Sequence, residues 1–139
     1  MTPQAYSLLA MNCSNTCQEN LNEALYELAD IVFINNPKSF KQEIKKNHYD
    51  VIVMDVSPNE STAFDLLKHT HGQLPFTPII LTSTSEKAEF IVEAIKLGAY
   101  DFVTRPFSSA RMQLVVQRAL KQKELQHEID YLRGKQDII

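Results

Sequence analysis

The sequence has 139 residues, with 14 Lys and Arg against 17 Asp and Glu for a formal charge of −3, so a single domain of ordinary size is expected. Mild acidity excludes a generic nucleic-acid binder, which needs a basic surface to displace counterions from phosphates, so this domain is expected to make no direct nucleic-acid contact. The glycines number three, too few and too scattered for a dinucleotide fingerprint or a Walker loop.

In chain order, short apolar segments rich in β-branched residues alternate with longer amphipathic stretches. That alternation predicts repeated βα units and a parallel sheet. Strands are expected at Tyr6 to Met11, Ile31 to Ile34, Val51 to Met54, Ile79 to Thr82 and Asp101 to Val103. Helices are expected at Thr16 to Ala29, Ser39 to Asn47, Thr62 to His71, Glu86 to Leu97 and Ser108 towards Arg133. Asn15 or Thr16 can open a capping box for the first helix and Ser83 one for the fourth, while Ser108 can cap the last. Gly98 ends an apolar helical face and suits a left-handed stop. Right-handed crossovers turn this order into a doubly wound five-stranded parallel α/β sheet of flavodoxin-like type with an extended C-terminal helix.

The start Met1-Thr2-Pro3-Gln4-Ala5 lacks the basic-then-apolar run of a signal peptide, and no apolar run approaches the ~20 residues that span a bilayer. A cytoplasmic chain with no membrane contact is expected. Cys13 and Cys17 then read as reduced thiols, because His48, His69, His71 and His127 have no zinc-ligand spacing relative to them.

A doubly wound sheet places its working site beyond the carboxyl ends of its strands. Those ends carry Asn12-Cys13-Ser14, Asp55-Val56-Ser57-Pro58, Ser83-Thr84-Ser85 and Thr104-Arg105-Pro106-Phe107. Asp55 follows Val51-Ile52-Val53-Met54, a run apolar enough to be buried on both faces. The Arg105-Pro106 bond can be cis or trans on sequence grounds.

The ordered series Asp55, Ser83 and Arg105-Pro106-Phe107, with the segment from Lys96 to Phe107, resembles the receiver domain of two-component response regulators over about residues 6 to 120. The resemblance implies a signalling module rather than an enzyme, at most phosphorylating itself from a phosphodonor, and a sensor histidine kinase as partner. It makes Asp55 the phosphoacceptor, Ser83 the hydroxyl that binds the phosphoryl group and Phe102 the aromatic switch. Arg105 stands where the family carries lysine, and Asn12 with Cys13 where it carries the acidic pair that holds magnesium. Pro58 comes one place earlier than the family's usual proline, and Ala63 replaces its usual glycine.

Magnesium prefers oxygen ligands, and this loop offers a neutral amide and a thiol, so Asp55 is the one charged ligand left and magnesium binding is expected to be weak or absent. The guanidinium of Arg105 can pair directly with Asp55. Three outcomes stay open: weak phosphorylation of Asp55, signalling without it through protein contacts, or another ligand in the pocket. The alternative from another class is a flavodoxin-like protein holding flavin mononucleotide, with Ser14-Asn15-Thr16 at a helix N-terminus as its faint phosphate loop.

Residues 1–120 are expected to form the receiver and 121–139 a helical linker or dimerisation extension. Leu125, Ile129 and Leu132 lie four and three apart, with Val115, Arg118 and Gln122 extending the register upstream, and this apolar seam predicts a homodimer. The stretch also resembles the linker that joins receivers to ATPase modules in transcription activators of the nitrogen-regulation type. That resemblance implies an output domain following it.

Overall fold

The computed structural model describes residues 6–56 and 61–137. The elements run β1 (Tyr6–Met11), α1 (Asn15–Leu25), β2 (Ala29–Ile34), α2 (Pro37–Lys46), β3 (Val51–Asp55), α3 (Ser61–Gln73), β4 (Ile79–Ser83), α4 (Ala88–Lys96), β5 (Asp101–Thr104) and α5 (Ser109–Asp137). The strands pair in the order β2-β1-β3-β4-β5, all parallel. The doubly wound α/β sheet is therefore present. Among the described residues no helix is long and apolar enough to cross a membrane. Pro58 and the side chain of Ala63 lie outside the described residues.

Alternate residues of the central strands face two apolar layers, as the pleat requires. Leu8, Ala10, Val51, Val53, Ile80 and Val103 pack with Leu21 and Leu25 of α1 and with Met112, Val115, Val116 and Ala119 of α5. Leu9, Met11, Ile52, Met54, Ile79, Leu81 and Phe102 pack with Phe40 and Ile44 of α2, Leu67 of α3 and Ala94 of α4. Covering both faces explains why β3 has no polar residue before Asp55.

Several boundaries move from their expected places. Helix α1 is capped by Ser14, whose Oγ accepts from Cys17 N at 3.2 Å, rather than by Asn15 or Thr16. It stops at Leu25, because Leu28 and Ala29 are drawn into the sheet: Tyr6 N donates to Leu28 O at 3.1 Å and Ala29 pairs with Tyr6. Helix α2 begins at Pro37 instead of Ser39, since Asn36 accepts from Lys38 N at 2.8 Å and Ser39 N at 3.2 Å, and proline suits the first helical position. The capping box at Ser83 does not form. Ser83 belongs to β4, and α4 starts at Ala88 after Lys87, with no side-chain cap. At α5, Ser108 Oγ accepts from Arg111 N at 3.1 Å as expected.

Gly98 ends α4 at φ 117°, where a built Cβ would lie 2.4 Å from His71 Cγ. Strain at positive φ and overpacking add, so Gly98→Ala is expected to destabilise by about 2 to 4 kcal/mol in urea titration.

At the end of α2, Glu43 accepts from Tyr49 OH at 2.5 Å and Asn47 Nδ2 at 2.7 Å. These bonds, Tyr49 first, hold its carboxyl below the ordinary glutamate range, while burial and the same bond push Tyr49 up to about 12. A depressed carboxyl contributes stability that is present above its unfolded pKa and is lost as pH falls through the folded value. Urea midpoints on the acid limb should therefore fall less steeply for Glu43→Gln than for the native chain, by a small margin because the pair is near solvent.

Candidate functional site

Asp55 ends β3 at the carboxyl edge of the sheet, where Val56 N still donates to Thr82 O at 2.8 Å. That bond and the pairing of Asp55 with Thr82 fix its backbone between β1 and β4. Two groups converge on Oδ1: the Thr82 hydroxyl donates to it at 2.6 Å, and Arg105 Nε stands 2.7 Å away. The guanidinium contact is a close ion pair whose Nε–H is not aligned on the oxygen as a hydrogen bond. The side chains are 11% exposed for Asp55 and 27% for Arg105, so the charges meet in a partly desolvated place.

Arg105 is held there by its backbone, which donates to Ser83 O at 2.7 Å, just before a cis bond to Pro106. Asn12, at φ 65°, directs Nδ2 to Asp55 O at 3.3 Å. Asparagine tolerates that left-handed backbone better than most residues. Cys13 turns away from solvent, its Sγ 3.0 Å from that of Cys17. The hydrogen bond to Cys17, and then burial, hold Cys13 well above the usual thiol range, while the same bond lowers Cys17.

The structure thus brings Asn12, Asp55 and Arg105 together and sets Cys13 beside them. Ser83 and Phe102 face the other apolar layer. Ser83 is fully buried and its Oγ accepts from Ser85 N at 3.3 Å. Phe102 is buried edge-on to Phe90 of α4, with ring centroids 5.7 Å apart at 88°.

The sequence reading missed Thr82, although alternation gives the signal: Thr82 shares a face with Ile80, and parallel register sets it opposite Asp55. It also missed Lys41 of α2 and Asp65 of α3, which line with Asn12, Asn35, Asp55 and Leu66 a cleft of about 500 Å³. No local pattern announces them, because the cleft is made by two helices meeting over the sheet edge. Among the described residues no group of three or more His, Cys, Asp or Glu side chains could hold a metal ion.

Beyond Leu120, α5 stays attached to the body for one more turn. Glu124 accepts from Tyr6 OH at 2.6 Å, and Lys123 Nζ lies 3.6 Å from Asp50 Oδ1 and 3.3 Å from Tyr49 O. Leu125, Ile129 and Leu132 are 48%, 44% and 49% exposed. Val115 does not belong to their seam: it is fully buried against α1 and the sheet, because that part of α5 supplies the domain's own core.

A parallel five-stranded sheet with an acidic side chain ending β3, a hydroxyl ending β4 and a cation after β5 defines a signalling receiver. The family description "response regulator receiver domain" matches residues 13–117, and the chain belongs to that family of two-component signal-transduction modules. Regulatory protein AtoC of Escherichia coli is 33% identical over 116 residues, covering 84% of this chain and 22% of AtoC. Chemotaxis protein CheY of Thermotoga maritima is 29% identical over 92 residues, covering 66% of this chain and 75% of CheY. The crystal structure of NtrX from Brucella abortus superposes with a TM-score of 0.83 at 26% identity, over 93% of this chain and 30% of NtrX. The chain therefore spans under a third of the length of AtoC and of NtrX.

Proposed function

We propose that this chain is a receiver whose acceptor is Asp55, that it is phosphorylated slowly at best, and that protein contacts carry most of its signal. The observation that carries this reading is the convergence of Arg105 and Thr82 on one oxygen of Asp55. In-line attack on a phosphoryl group needs a nucleophilic carboxylate and positive charge on the equatorial oxygens. Here the nearest cation already neutralises the nucleophile, and freeing it costs a charge pair in a partly desolvated place.

The donor set does not fit magnesium. Asn12 presents its amide nitrogen to Asp55 O, and the Cys13 sulfur is buried against Cys17, where a hard cation would need oxygen. The chemistry available therefore belongs to Asp55, Arg105 and Thr82. Arg105, displaced from Asp55, is the group placed to hold an incoming phosphate by its planar fork.

The family implies a sensor histidine kinase as upstream partner, and the exposed seam of α5 supports a second copy of the chain as another. A cytoplasmic setting follows from the same reading. Nothing supports the flavin alternative: the hydroxyl of Ser14 is engaged in capping α1.

Intact-mass measurement after incubation with acetyl phosphate and magnesium tests the reading. Slow, partial labelling that disappears in Asp55→Asn is expected. Rapid stoichiometric labelling would overturn it.

A further inference from the structure

Cys13 and Cys17 are each 2% exposed, and their sulfur atoms lie 3.0 Å apart, about 1 Å beyond the ~2.05 Å of an S–S bond. Burial alone would make such thiols inert. Cys17, however, lines a cleft of about 190 Å³ with Thr16, Asn20, Thr84, Arg105 and Pro106, room for a peroxide-sized molecule. Cys17 also sits in the first turn of α1, and Arg105 borders the same space. The helix N-terminus puts positive potential on a Cys17 thiolate, while the charge of Arg105 is largely offset by its pairing with Asp55. Cys13, just before the Ser14 cap, is not among the residues lining that cleft, and its Sγ lies 3.0 Å from that of Cys17, in a position to resolve what forms there.

We infer that Cys13 and Cys17 form a reversible dithiol–disulfide site that reacts with hydrogen peroxide through the Arg105 cleft. The Cys17 thiolate attacks one peroxide oxygen; the S–O bond forms, the O–O bond breaks and hydroxide leaves, giving a sulfenic acid. The Cys13 thiol then gives up its proton, its sulfur attacks that of Cys17, the S–S bond forms and the S–O bond breaks, releasing water. Each sulfur loses one electron and the peroxide gains two. A thiol pair that resists small oxidants in the native fold, or whose disulfide cannot close within it, would contradict this inference. The inference does not depend on whether Asp55 is phosphorylated.

The test uses the reduced full chain and a few equivalents of hydrogen peroxide under native conditions. Intact mass should fall by two hydrogens, both cysteines should resist iodoacetamide after denaturation, and a reductant should restore both. No Lys or Arg precedes Lys38, so both sulfurs fall on one tryptic peptide and an intramolecular bond leaves its connectivity unchanged. The helical circular dichroism of the oxidised chain should match that of the reduced one. In Cys13→Ser, dimedone should trap a sulfenic acid on Cys17; Cys17→Ser should give no adduct.

Four results would overturn the inference: two thiols that still alkylate fully, a disulfide between chains, loss of helix signal on oxidation, or a dimedone adduct that forms on Cys13 instead of Cys17. The measurement on the native chain stands even where a serine variant folds poorly.

Discussion

Asn12→Asp with Cys13→Asp is expected to raise magnesium affinity by at least two orders of magnitude and to speed labelling of Asp55 by acetyl phosphate. Groups that only hydrogen-bond to a metal's ligands are worth roughly 10- to 100-fold in affinity, so two directly coordinating carboxylates should exceed that together. A divalent ion beside Asp55 would also compete with Arg105 for the carboxylate, releasing the oxygen that Arg105 and Thr82 now share. Asn12→Asp alone is the cleaner half of the experiment: Asn12 is exposed and its φ of 65° suits aspartate nearly as well as asparagine. Cys13→Asp puts a carboxylate into a buried position, so thermal unfolding must be followed alongside. Magnesium titration by calorimetry and intact-mass labelling read the two effects separately. Unchanged affinity in the single and double variants would show that the lost acidic pair is not what limits this pocket.

Changing Leu125, Ile129 and Leu132 together to glutamate is expected to weaken self-association by more than a hundredfold. Each side chain, if covered by a partner helix, contributes ~1.5 to 3 kcal/mol. The sum over one chain exceeds, even at its lower end, the ~2.7 kcal/mol that separates a hundredfold in equilibrium constant. The contacts of Lys123 and Glu124 with Asp50 and Tyr6 set where the matching truncation belongs. A chain ending at Glu124 keeps these ties, whereas one ending at Leu120 loses them and tests the receiver's stability as well. Sedimentation across a wide concentration range should show a concentration-dependent dimer for the full chain and monomers for both altered chains. A monomer throughout for the full chain would remove the dimer.

Features governed by local rules are legible in the sequence. The five apolar segments, the cap at Ser108 and the left-handed stop at Gly98 depend on periodicity and on chemistry within a turn, and each falls within about two residues of where those rules put it. The chain order of Asp55, Ser83 and Arg105 was legible too, because a parallel sheet brings the ends of its strands to one edge whatever fills the space between. Boundaries moved where two local signals competed. Asn36 with Pro37 prevailed over Ser39, and at Ser83 the β4 ladder prevailed over a capping box.

Which side chains meet at that edge is set by long-range packing. Asp55 pairs with Thr82 because β3 and β4 are neighbours in one particular register, and a shift of one residue would have exchanged Thr82 for Ser83. The burial of Val115 followed from α5 lying against α1, which removed it from a heptad that the sequence alone would extend. The Cys13–Cys17 contact required the chain to leave β1 and enter α1 with both sulfurs turned inward. Register, helix docking and the meeting of loops are long-range choices, set by how the whole core closes, and no window of a few residues contains the energy that selects them.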